Sequence, residues 1–125
     1  MQTVYYFNPQ NKFSSDERCD INELLNQELD DSCSIAKACV APGIKTQLHC
    51  VQHTSERYVI LQGKGEVLIN HETPRSVTCL DTVFIPPGVA QQIINTGDEE
   101  LQFLCICTPR FKQENYRNLE DEIEK

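Results

Sequence analysis

Residues 43–63 read GIKTQLHCVQHTSERYVILQG, a strand, a polar turn and a second strand. His49, His53 and Glu56 stand within it at metal-ligand spacing. Further on, IPPGVAQQIIN (residues 85–95) reads as its second half. The two stretches together predict a small β-barrel with a polar site in its mouth.

Outward from this segment the chain is a run of short strand signals divided by turns. SIAKACV (34–40) ends at Pro42-Gly43, and KTQLHCV (45–51) leads through a polar loop into ERYVILQ (56–62). Gly63-Lys64-Gly65 makes a tight hairpin into EVLIN (66–70), and SVTCL (76–80), TVFIP (82–86), QQIIN (91–95) and LQFLCICT (101–108) follow. Many short strands at near-regular spacing imply a sandwich or closed barrel and not a βαβ unit. Residues 1–34 read as an N-terminal arm that packs on the barrel or on a partner subunit. Within it VYYF (4–7) suggests a short edge strand, and INELLNQ (21–27) has helical spacing for a turn or two, broken by Asp30, Asp31 and Ser32. Residues 35–112 form the barrel, and 113–125 an acidic tail with a terminal turn or short helix.

A chain of 125 residues reads as one domain with a core that needs no disulfides. No run approaches the ~18 apolar residues that cross a bilayer, and the first ten residues lack the pattern of a secretory leader, so a cytoplasmic protein is expected. The seven cysteines are odd in number and form no CxxC pair, which predicts reduced, mostly buried small hydrophobes. A net charge of −8 argues against nucleic acid or an anionic membrane as partner.

Strand parity locates the candidate chemistry. If His49 points into the barrel, so do Gln47 and Val51, while Leu48 and Cys50 point out. Glu56, Tyr58 and Ile60 share one face of the next strand, and antiparallel pairing brings His49 and Glu56 together. Gln91, after the turn Pro86-Pro87-Gly88, faces the same cavity. An imidazole, a carboxylate and an amide there suit Fe, Mn, Ni or Zn with positions open for water or substrate. His53, in the loop, is a substitute ligand if it swings inward and otherwise an exposed histidine. Without metal, Glu56 serves as a general base if burial raises its pKa, with His49 as partner and Tyr58 as proton donor or pocket lining. Alternatively His49 and Glu56 only bond each other across the strands. Cys50 points away from His49 and is no nucleophile.

Gly43, His49, Val51, Glu56 and Gly63 fall on the first cupin motif, G-x5-H-x-H-x4-E-x6-G, with Val51 in place of its second histidine. Leu80, Pro86, Gly88, Gln91 and Asn95 fall on the second, G-x5-P-x-G-x2-H-x3-N, with Leu80 replacing the glycine and Gln91 the histidine. Over residues 34–112 the chain thus resembles the small single-domain cupins of the conserved-barrel type. The resemblance implies an all-β double-stranded β-helix, or jelly-roll, barrel, commonly paired as a homodimer through its arm and outer strands. It also implies a divalent metal held by three histidines and a glutamate, of which only His49 and Glu56 carry over, with Gln91 at the third histidine's place. Two functions follow as expectations. One is a metal-dependent isomerase, lyase or dioxygenase acting on a small polar molecule. The other is a non-catalytic barrel that binds a small ligand without a working metal site.

Overall fold

Buried and less buried residues alternate along Ser55–Gln62 (β5), and the inward row Glu56, Tyr58 and Ile60 forms one wall of a barrel. The computed structural model describes residues 1–15 and 17–120. Its strands are β1 (Phe13–Ser14), β2 (Asp20–Leu25), β3 (Ser34–Val40), β4 (His49–Val51), β5, β6 (Gly65–Ile69), β7 (Arg75–Val77), β8 (Thr82–Ile85), β9 (Gln91–Asn95), β10 (Leu101–Thr108) and β11 (Tyr116–Asn118). They form a six-stranded sheet in the order β1-β2-β3-β10-β5-β8 and a five-stranded sheet in the order β11-β4-β9-β6-β7. Every pairing is antiparallel. The expected all-β jelly-roll barrel is therefore what forms. Among the described residues no helix is long and apolar enough to cross a membrane.

Hydrocarbon from both sheets fills the centre: Val40, Ile60 and Leu101 from one and Ile93 from the other are 0 % exposed. Asn95, at the end of β9, fastens this end by donating to the carbonyls of Val40 at 2.9 Å and Glu99 at 2.8 Å. Gly65 has to be glycine, because a Cβ there would stand 2.5 Å from the Ile94 carbonyl oxygen. Leu80, where the motif has glycine, keeps a left-handed backbone at φ 70°, and its N–H donates to the Ile60 carbonyl at 2.7 Å.

Several local expectations are corrected. INELLNQ is not helical, because β2 pairs with β3 from Asp20 to Leu25 and that ladder satisfies its backbone better than an isolated turn. VYYF forms no strand, and Val4, Tyr6 and Phe7 are exposed; the edge strand is Phe13–Ser14 instead. Only His49–Val51 of KTQLHCV joins a ladder, while Lys45 makes an isolated bridge to Ile94. The last stretch, expected from Tyr116 on as a terminal turn or short helix, instead opens as β11 against β4, just after a 3-10 turn at Gln113–Asn115. The acidic stretch beyond Glu120 lies outside the described residues. No disulfide is formed among the described residues; Cys19, Cys50 and Cys107 are buried, Cys33, Cys39 and Cys105 half-buried, and Cys79 exposed.

Candidate acid–base site in the barrel mouth

Register brings residues of five strands together. His49 on β4 pairs with Gln91 on β9, and Glu56 on β5 lies opposite Cys107 on β10 and Ile85 on β8. His49, Val51, Glu56 and Tyr58 line an inner chamber of about 30 Å³. By cavity size this holds a water or one small polar head. It adjoins an outer chamber of about 910 Å³, and Glu17, Ile21, Glu56, Cys105, Phe111 and Tyr116 line both.

The hydrogen bonds of His49 set its tautomer. Its Nδ1 lies 2.6 Å from the Gln47 carbonyl oxygen, which only accepts, so Nδ1 carries the proton and Nε2 the lone pair. Burial pulls the imidazole below its ordinary pKa and keeps it neutral. Tyr116 stacks on the ring at 4.9 Å between centroids, and its hydroxyl donates to Gln47 Oε1 at 2.6 Å. The ring is therefore held from two sides.

Glu56 is 8 % exposed, and its Oε1 has no hydrogen-bond partner among the described residues. Burial pushes the carboxyl up to about 7, a rise moderated by the side chains of Gln91, Cys105 and Cys107. Tyr58 lies two residues further in, and its hydroxyl donates to Gln91 Oε1. Burial, then the nearby Glu56, drives the phenol well above its ordinary value, so Tyr58 is a donor and not a base.

The arm closes one side of this mouth. The Gln47 N–H donates to the Glu17 carbonyl at 2.9 Å. Arg18 donates to the carbonyls of Lys45 at 2.9 Å and Thr46 at 3.2 Å, and pairs with Glu120 at 2.6 Å. These bonds hold Glu17 against the barrel, where burial and then the charge of Glu56 push its carboxyl up to about 7. Two carboxyls that titrate near neutrality thus share one cavity.

Of the residues expected at the site, His49, Glu56 and Tyr58 line the inner chamber. Gln91 is 1 % exposed and engaged by Tyr58, and it lines neither chamber. His53 is exposed on its loop with φ 68° and also lines neither. The structure adds Glu17 and Tyr116 to the residues lining the inner chamber. Glu17 sits in a polar stretch without periodicity, and Tyr116 is a lone aromatic in a polar tail, so neither carries a local signal. Gln47 was placed on the inner face by parity alone.

A divalent metal, implied by the motif, does not fit this donor set. Val51 supplies only hydrocarbon, the Gln91 oxygen already accepts from Tyr58, and His53 is turned out to solvent. Among the described residues no group of three or more His, Cys, Asp or Glu is placed to hold a metal ion.

Residues 36–107 match the family model of the cupin domain. The chain is 35% identical over 102 residues to an uncharacterized protein of Methanocaldococcus jannaschii, covering 80% of this chain and 81% of that one. Its fold is similar to the Streptomyces nucleoside dehydratase Pac13, with a TM-score of 0.74 at 17% identity over 93% of this chain and 91% of that one. It is also similar to a predicted oxalate decarboxylase of Thermotoga maritima, with a TM-score of 0.67 at 27% identity over 73% of this chain and 80% of that one.

Proposed function

This chain belongs to the cupin family, and from that premise we propose that its barrel mouth binds a small polar molecule and moves a proton on it through Glu56. One observation carries the reading: a buried carboxyl whose Oε1 is unpartnered and whose pKa is about 7. Such a group is half ionised at neutral pH, so it takes a proton and returns it with little cost in either direction. His49 presents a neutral imidazole with a basic Nε2 on the same chamber, a second station for a proton. Tyr58 is a positioning residue, since its hydroxyl is committed to Gln91. Abstraction of a C–H proton followed by protonation elsewhere on the molecule is isomerisation, and with loss of hydroxide it is elimination. Similar barrels include a nucleoside dehydratase and a predicted oxalate decarboxylase, so the scaffold is one that can carry an enzyme.

The test is solvent exchange. Nucleosides, sugars and small hydroxy acids are incubated with the protein in D₂O and followed by proton NMR. Loss of one C–H signal is expected with wild type and with Tyr58→Phe at reduced rate. Glu56→Gln should bind the same compound without exchange. A compound that binds tightly and never exchanges would leave a non-catalytic binding barrel instead.

A further inference from the structure

Glu17 has no counterpart in the motif-bearing strands. It comes from the arm, yet it lines both chambers beside Glu56. Among the described residues, the inner chamber is lined by these two carboxyls and by no lysine or arginine. The other titratable groups facing it from the arm, β4, β5, β10 and β11 are Cys19, His49, Tyr58, Cys105 and Tyr116. Burial pushes both thiols and both phenols up and the imidazole down, so all five are neutral at pH 7. Arg18, next to Glu17 in sequence, is spent on Glu120 and on two backbone carbonyls. Arg110, at the outer chamber, is paired with Asp31 at 2.7 Å. Lys112 lines the outer chamber only, so among the described residues no cation of the chain lines the inner chamber beside the two carboxyls.

Two acids crowded into a low-dielectric pocket without a cation are unfavourable as anions, and a ligand that supplies the cation relieves both. The unpartnered Oε1 of Glu56, on a residue 8 % exposed, marks where such a group donates. The walls select its kind. The inner volume of about 30 Å³ suits a single ammonium head, and the outer chamber, with Phe13, Phe111 and Tyr116, suits an apolar or aromatic body. A metal ion would need a third donor that the described residues do not place there.

We propose that the barrel mouth is a site for a small organic amine, its ammonium held between Glu17 and Glu56 and its body lying against the aromatic residues of the outer chamber. This deepens the acid–base reading and rests on it for the mouth as the place of entry.

Isothermal titration calorimetry at pH 8 with benzylamine, benzyl alcohol and benzoate tests it, since the three probes share a ring and differ in charge. Benzylamine should bind at least about ten-fold tighter than the alcohol, and benzoate should bind weakest. Glu56→Gln and, independently, Glu17→Gln should each weaken benzylamine at least about ten-fold while leaving benzyl alcohol unchanged. Circular dichroism identifies a variant that has not folded; the other variant then decides. Equal or tighter binding of the alcohol or benzoate, dependent on Glu56, overturns the amine and leaves the mouth as a ligand site. A benzylamine affinity indifferent to both substitutions overturns the proposal as well. Binding of none of the three, with no solvent exchange on any compound, overturns both readings together.

Discussion

The inward row of β5 passes from one kind of interior to another within three alternate residues. Ile60 lies at the closed end, 0 % exposed, against hydrocarbon from both sheets. Glu56 lies at the open end, nearly as buried, with a carboxyl oxygen that no described residue satisfies. Tyr58 stands between them, its ring packed on Phe103 at 4.7 Å and its hydroxyl on Gln91. The same strand geometry buries all three, so depth alone does not separate core from site. What separates them is whether the buried atoms have partners. At the closed end even polar groups are satisfied, as Asn95 shows with two carbonyl acceptors. At the open end the chain accepts a buried carboxyl oxygen that no described residue bonds, the usual mark of a place kept for chemistry or a ligand.

The contrast breaks most visibly at Ile60. Ile60→Ala removes a fully buried side chain from the closed end and should cost about 2–5 kcal/mol in urea unfolding. A loss under ~1 kcal/mol would mean that this end collapses around the gap and is less tightly filled than it looks.

The open end should respond to pH instead. Folding raises Glu56 from 4.5 to about 7, so the folded protein holds a proton that the unfolded chain has released. Its contribution is fully present below pH 4.5 and is lost as pH rises through about 7. The loss amounts to about 3 kcal/mol by pH 8, with Glu17 shifted in the same direction. His49 has the opposite sign, since its lowered pKa costs stability as pH falls below 6.5. Comparing wild type with Glu56→Gln across pH 5–8 isolates the carboxyl: the stability of the variant should gain on wild type as pH rises. Parallel curves would show that Glu56 is solvated and that the two ends are alike.

The smallest effect is expected at Leu80. Its left-handed backbone costs an ordinary residue about 1 kcal/mol, and its side chain is 74 % exposed, so little packing offsets that strain. Leu80→Gly should raise stability by about 0.5 kcal/mol once the greater freedom of glycine in the unfolded chain is subtracted. A thermal melt reads the sign. A lower melting temperature would mean that Leu80 contributes packing at the closed end.

Alternation and turn chemistry made most of the barrel legible. From Glu56 to Ile60 and from Gln91 to Asn95 every second residue is apolar or belongs to a motif, and both segments form strands as read. Parity put His49, Val51, Glu56 and Tyr58 on one cavity, and they line it. Reading failed where pairing overrode a local pattern: Ile21–Gln27 has helical spacing, but β3 offered it a ladder. It failed also in the tail, where Tyr116 joins β4 from a polar stretch with no strand signal.

By itself the sequence determined the barrel, its inward rows and the loss of two histidines from the motif, because a period of two and fixed turn residues are local properties of the chain. Only the tertiary structure decided what those inward residues do. It turned His53 outward, committed Gln91 to Tyr58, stacked Tyr116 on His49 and brought Glu17 from the arm to face Glu56. Contacts between distant segments, and the desolvation that shifts a carboxyl toward neutrality, depend on how the whole chain closes around the mouth.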